Sequence, residues 1–129
     1  MEITIDLDGS DPVFAQLIGQ IKQAVRAGHL RPGDALPSIR QLATDLELNS
    51  KTVAKAYRLL ERDSVVQTRG YRGTFVHPDA RTNAAFDLNA WASSRLTDVI
   101  TELRTSGVTD SEIRNAFGAA MNEPIRTGA

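Results

Sequence analysis

A chain of 129 residues has room for one domain of ordinary size plus a helical appendage, but not for two full domains. Its 41% hydrophobic and 24% charged content is that of a globular protein, and the absence of cysteine excludes disulfides, thiolate metal sites and a cysteine nucleophile. A formal net charge of -1 makes no global case for nucleic acid; with no basic leader and no apolar run near the roughly 18 residues that span a bilayer, a cytoplasmic, non-membrane protein is expected.

Met1 to Leu7 alternates Ile3, Ile5 and Leu7 with polar residues, the period of a short half-buried strand. Asp11 as N-cap and Pro12 at the first helical position open a helix whose Phe14, Leu17, Ile18, Ile21 and Val25 share one face and which ends near Gly28. Arg31-Pro32-Gly33-Asp34 is turn chemistry, and Ala35-Leu36-Pro37 stays extended because proline disfavours helix in the residue before it. Ser38 and Gln41 make a capping box for a second, short helix with Ile39, Leu42, Ala43 and Leu46 on its apolar face.

After a tight turn at Glu47-Leu48, Asn49 caps a third helix. Val53, Ala56, Tyr57 and Leu60 face inward there, while Ser50, Lys51, Lys55, Arg58 and Arg62 fall largely elsewhere. Val65 to Thr68 and Thr74 to Val76 read as two strands of a hairpin, with a basic, aromatic tip at Arg69-Gly70-Tyr71-Arg72-Gly73. Ala80 to Ala84 has the small, polar character of a linker, which divides the chain into residues 1–77 and 78–129. In the second part Leu88, Ala92, Leu96, Val99 and Leu103 recur at helical spacing up to Gly107, and Thr109 or Asp110 caps a last helix carrying Ile113, Phe117, Ala120 and Met121.

The fold class expected is α+β, mostly α: an N-terminal winged helix-turn-helix followed by a two-helix C-terminal dimerisation element. In a winged helix-turn-helix the second helix of the pair enters the major groove and the wing reaches the backbone or minor groove. Charge agrees with that docking: from Ser38 to Arg72 seven basic residues stand against four acids, a local balance of +3, whereas after Val76 five arginines face seven acids. Ser38, Asn49, Ser50, Lys51 and Thr52 lie at helix starts, where N–H groups and hydroxyls meet phosphate. Lys55, one turn beyond Lys51, belongs to the same exposed face, as does Arg58, and either lysine can donate to guanine O6 and N7. Arg40, in the first turn of the preceding helix, is placed for a phosphate or a guanine, and Arg69, Gly70 and Arg72 at the hairpin tip for the minor groove or its flanking phosphates. Each charge taken singly has an ordinary alternative as part of a solvated face; their order along the chain carries the DNA-binding reading.

The residues from Pro12 to Val76 resemble the GntR superfamily of bacterial regulators. The resemblance rests on Pro12, Phe14 and Gln16, on Ile21-Lys22 and Gly28, and on Leu30-Arg31-Pro32-Gly33-Asp34. It continues through Leu36-Pro37-Ser38-Ile39-Arg40-Gln41-Leu42-Ala43, Asn49-Ser50-Lys51-Thr52-Val53, Ala56-Tyr57-Arg58-Leu59-Leu60-Glu61 and Gly73-Thr74-Phe75-Val76. The short tail is similar to that of the small YtrA-like branch, and the resemblance implies a homodimeric repressor on a palindromic operator. It also implies DNA contacts at Arg40, at Asn49 to Thr52, and at the wing tip, Arg69 and Gly70. Two departures stand out. The recognition helix lacks the arginines common in the family, so base preference does not transfer, and Asp63-Ser64 stands where the family has a glycine.

Other functions fare less well. An enzyme is not expected: His29 and His77 are the only histidines, no nucleophile is paired with a base, and no cofactor is implied. No lysine follows Lys55, which excludes a Schiff-base lysine in the C-terminal half. A winged helix used as a protein-interaction adaptor is the alternative, and it calls for an apolar patch where this chain is basic. Leu88, Trp91, Leu96, Val99, Ile100, Leu103, Ile113 and Phe117 carry more apolar surface than two helices can cover by themselves, so they are assigned to a dimer interface, with an intramolecular cap as the other reading. Trp91 could equally line a small-molecule pocket. The partners expected are therefore double-stranded DNA and a second copy of the chain; a small-molecule effector, if one exists, would act through the hinge at His77 to Ala84 or through the dimer helices.

Overall fold

Helix α1 (Val13–Arg26) buries Leu17, Ile18, Ile21 and Val25 along one stripe, as its 3.6-residue period dictates. In the computed structural model, which describes residues 2–123, the first helical residue is Val13, and Pro12 takes the cap position with extended backbone. The expected Asp11 cap is thus displaced by one residue: the Asp11 carbonyl instead accepts from Gln16 Nε2. Gly28, at φ +82°, closes the helix with the bonds Gly28 N to Val25 O and His29 N to Ala24 O.

The expected N-terminal strand does not form, and Met1 lies outside the described residues. Ile3 and Ile5 pack against the core as their alternation foretold, but the backbone partner is not another strand. Two glutamine side chains of α1 substitute for one. Gln20 exchanges both amide hydrogen bonds with Thr4, at 2.9 and 2.6 Å, and Gln16 does the same with Asp6, at 2.8 Å each. A primary amide carries the same donor and acceptor pair as a peptide unit, so glutamines one helical turn apart satisfy alternate residues of an extended segment.

Helix α2 (Ile39–Leu46) is capped by Ser38, whose hydroxyl accepts from Gln41 N at 3.0 Å. Only half of the expected capping box is present, because the Gln41 side chain turns forward to Asp45. Helix α3 (Ser50–Arg62), capped by Asn49, buries Val53, Ala56, Tyr57 and Leu60 against α1 and α2. Strands β1 (Val66–Thr68) and β2 (Thr74–Val76) pair antiparallel with Gln67 opposite Phe75, joined by a single 3-10 turn over Gly70–Arg72. The Asp34 to Leu36 segment lines the other edge of β2, with Val76 N donating to Asp34 O and Leu36 N to Thr74 O.

The stretch read as a linker is not one. Helix α4 (Ala80–Asn83) is a single turn whose Ala80, with Ala84 after it, is fully buried in the core. Arg26 donates to the Ala84 carbonyl, Lys22 to that of Phe86, and Asn83 Nδ2 to that of Ser64. Alanines are small enough for backbone to approach backbone, and the long cationic side chains of α1 satisfy the carbonyls this brings inside. The compact N-terminal unit accordingly runs from residue 1 to 87 rather than to 77, and His77 to Ala84 is packed structure, not a hinge.

The second unit spans residues 88–129 and is described to residue 123. Helix α5 (Leu88–Thr105) and helix α6 (Asp110–Met121) are joined by a turn at Gly107 and packed on each other. Thr109 is the cap, in a complete box with Glu112, and Arg104 pairs with Asp110 across the turn at 2.8 Å. Hydrogen bonds from Thr109 hold the Glu112 carboxyl below its ordinary range. Among its described residues none is fully buried, in contrast to the core of the first unit.

Candidate nucleic-acid interface

Lys51, Lys55, Arg58 and Arg62 follow one another at three or four residues, so the helical period puts all four on the face of α3 opposite Val53, Ala56 and Leu60. All four are exposed. At the start of α3 the Asn49 side chain accepts from Lys51 N at 2.8 Å, leaving its amide NH2 for other partners, and Ser50 is exposed while Thr52 is half-buried. The helix N-terminus carries partial positive charge and favours an anion at this end.

Arg40 stands exposed in the first turn of α2. It lines one shallow hollow together with Ser50, Ile39 and Leu48, so the starts of α2 and α3 present a joint surface. The relation depends on the turn between them. Glu47 takes left-handed backbone, φ +55°, and the bonds Glu47 N to Thr44 O and Leu48 N to Ala43 O reverse the chain within two residues. Tyr57 then ties the middle of α3 to the segment ahead of α2, its hydroxyl donating to the Pro37 carbonyl at 2.7 Å. Burial pushes that phenol up to about 12, so it remains a donor.

Two cations behave otherwise than their spacing suggested. Lys55 is not extended beside Lys51; its ammonium rests on the Phe14 ring of α1, 3.9 Å from the centroid. An exposed cation–π contact of this kind is worth about 0.5–1 kcal/mol, little enough for a phosphate to compete for the lysine. The Arg69 guanidinium is drawn back along the wing over Phe75, 5.1 Å from its centroid. Arg72 and Gly70 are exposed at the tip, Gly70 with φ +57°. Ser38 spends its acceptor on the α2 cap and keeps a hydroxyl proton to donate.

Three of the segment's four acids are occupied by neighbours. Asp63 is paired with Arg62 and Lys22, while Asp45 accepts from Gln41 and Glu61 from Thr68. Donating to the Asp63 carboxylate raises the pKa of the Arg62 guanidinium above its ordinary value. The departure at Asp63-Ser64 also finds its explanation. Ser64 adopts the left-handed conformation, φ +56°, that glycine would adopt, and Ser64 N to Glu61 O with Val65 N to Leu60 O close α3 as Gly28 closes α1.

Two residues escaped the choice of site residues. Tyr71, at the wing tip, is 97% exposed; the signal was an aromatic between two arginines in a glycine-bounded turn. Lys22 is wholly buried and binds Asp63; its signal was a lysine within the apolar stripe of α1. Of the histidines, His77 Nδ1 accepts from Asp79 N in a turn, and His29 is exposed just past the end of α1.

In the second unit Leu96, Val99, Ile100, Leu103, Ile113 and Phe117 line one groove of about 450 Å³ with almost no polar surface. Leu88 and Trp91, assigned with them from sequence, are exposed on α5 outside its lining.

A family model described as bacterial regulatory proteins, gntR family, matches residues 14–76. The transcriptional repressor YtrA of Bacillus subtilis is 37% identical over 106 residues, 82% of this chain and 82% of its own. The transcriptional regulator Rv1152 of Mycobacterium tuberculosis is 45% identical over 64% of this chain and 69% of its own. Among solved structures, YtrA from Sulfolobus acidocaldarius, a GntR-family transcription factor, superposes with a TM-score of 0.56 at 29% identity, covering 92% of this chain and 96% of that one.

Proposed function

Because the chain belongs to the GntR family of bacterial regulatory proteins, whose members are transcription regulators rather than enzymes, we propose that it is a cytoplasmic repressor that binds a palindromic operator as a homodimer. The observation that carries the reading is the outer face of α3, where exposed Lys51 and Arg58, with Lys55 resting on Phe14 and Arg62 paired to Asp63 beside them, stand opposite a buried inner face and are flanked by Arg40 and the wing. In this arrangement α3 enters the major groove, with Ser50, Lys51 and Thr52 at its leading end, and Asn49, Ser38, Arg40, Lys55 and Arg58 meet phosphates or base edges around it. Gly70 and Arg72 at the wing tip, with Arg69 behind them over Phe75, lie against the minor groove or its flanking phosphates. The groove between α5 and α6 takes the equivalent helices of a second copy, since an almost wholly apolar surface in a unit with no buried residue among those described has its lining left in water in the single chain. Repression, the role in the name of the Bacillus subtilis relative, would follow here from occupying a promoter.

The test is selection of duplexes from a random library by the purified full-length protein near physiological salt. Enrichment of an inverted repeat whose half-sites lie about 34 Å apart, or a multiple of that, is expected. Recovery of no motif would overturn the reading in favour of a nonspecific DNA binder or a protein-contact module. On the selected site Lys51→Ala should cost about 1–3 kcal/mol if Lys51 reads a base, or reduce the salt dependence by about one ion if it touches phosphate only.

A further inference from the structure

We propose that Tyr71 is a base-discriminating minor-groove contact of the wing, an inference that rests on the DNA-binding reading above. Tyr71 is the most exposed large hydrophobic side chain among the described residues, 97% open to solvent, and it occupies the centre of the turn that joins β1 to β2. That turn is closed on itself. Arg72 N donates to Arg69 O, Gly73 N to Gly70 O and Arg69 N to Gly73 O, with Gly70 and Gly73 both at positive φ, so the tip is organised before any partner arrives.

The placement of the neighbouring cations decides what leads. Arg69 is folded back over Phe75, so the groups at the front of the tip are the phenol of Tyr71 and the guanidinium of Arg72. The minor groove of B-DNA is about 6 Å wide, enough for an aromatic ring edge-on. Its walls are sugar and largely apolar, its floor offers adenine N3 and thymine O2 as acceptors for a hydroxyl, and the guanine N2 amino group alters that floor. A phenol therefore senses the base pair beneath the wing through apolar contact and one hydrogen bond, while Arg72 supplies the phosphate attraction. Being uncharged, Tyr71 adds affinity without adding salt dependence.

The experiment uses the full-length protein on the duplex recovered by selection, with Tyr71→Ala, Tyr71→Phe and Arg72→Ala variants. Tyr71→Ala should melt like the wild type, since the residue is almost wholly exposed, and should bind about tenfold more weakly, the loss expected for uncovering roughly a third of a tyrosine's surface. The salt dependence of Tyr71→Ala should match the wild type, whereas that of Arg72→Ala should be shallower by about one ion. Duplexes carrying inosine for guanine, or 2,6-diaminopurine for adenine, at the position under the wing change only the minor-groove amino group. They should shift wild-type affinity, shift Tyr71→Phe less, and leave Tyr71→Ala unmoved. Wild-type affinity in Tyr71→Ala, or an equal response of both proteins to the modified bases, overturns the assignment while leaving specific DNA binding intact. Failure of the wild type to bind any duplex specifically overturns both.

Discussion

Lys22 Nζ lies 2.9 Å from Asp63 Oδ2, with the lysine side chain wholly out of solvent and its ammonium also donating to the Phe86 carbonyl. One buried cation thus joins the middle of α1, the end of α3 and the segment preceding α5. Removing the counter-charge would strand the lysine, so Asp63→Asn should cost about 3 kcal/mol at neutral pH by thermal or denaturant unfolding. Burial alone would raise the Asp63 carboxyl, but hydrogen bonds and charge from Arg62 and Lys22 outweigh it and hold the group below the usual carboxylate range. Its contribution is therefore complete above the unfolded value of about 3.9 and is lost as pH falls through the depressed folded value. The stability gap between wild type and Asp63→Asn should stay level near neutrality and narrow below about pH 4. A gap that is absent at pH 7 would show that the pair contributes nothing.

Glu47 and Ser64 hold left-handed backbone at the ends of α2 and α3, where α1 and α5 use Gly28 and Gly107. A side chain in that conformation costs about 1–2 kcal/mol, partly offset by the greater unfolded entropy of glycine. Glu47→Gly and Ser64→Gly should each stabilise the protein by about 0.5–1 kcal/mol in denaturant titrations. Destabilisation by either would mean that the side chain does something its backbone does not reveal.

Tyr57→Phe removes the hydrogen bond that ties α3 to the Pro37 carbonyl and should cost about 1 kcal/mol. The phenol is raised to about 12, so the stability it contributes through linkage is fully present below pH 10 and lost as pH rises toward 12. Alkaline unfolding should accordingly bring wild type and Tyr57→Phe together between those values. Parallel curves would contradict the burial assigned to the hydroxyl.

The glutamine pairing of the N-terminal segment predicts a residue-specific exchange pattern. Gln20→Ala should abolish protection of the Thr4 amide and spare that of Asp6, and Gln16→Ala should do the reverse. Simultaneous loss at both positions in either variant would indicate that the segment is held by Ile3 and Ile5 packing and not by the amides.

Val99→Asp and Phe117→Asp place a carboxylate in the apolar groove between α5 and α6. If a second copy fills that groove, sedimentation should show each variant shifted to monomer, and affinity for a full operator should fall much further than affinity for a half-site. A dimer that survives both substitutions places the interface elsewhere.

Much of this was legible in the order of residues because it is decided locally. Ser38, Asn49 and Thr109 cap the helices they precede, Gly28 and Gly107 end theirs, and the glycines around Tyr71 turn the wing; each bond involved spans only a few residues. The periodicity of α3 likewise separated its buried face from its basic one, and with it most of the candidate DNA surface. What the tertiary structure alone decided depends on groups far apart in the chain. Gln20 meets Thr4 across 16 residues, Lys22 meets Asp63 across 41 and Phe86 across 64, and Arg26 meets Ala84 across 58. The Lys55 ammonium bends from the face its spacing assigns to rest on Phe14 of another helix, and Ala80 to Ala84 reads as a linker because nothing in those five residues tells that α1 lies ready to pack against them. Local sequence sets which hydrogen bonds a segment can make with itself; which of its remaining polar and apolar groups are buried is settled only when another segment arrives to cover them.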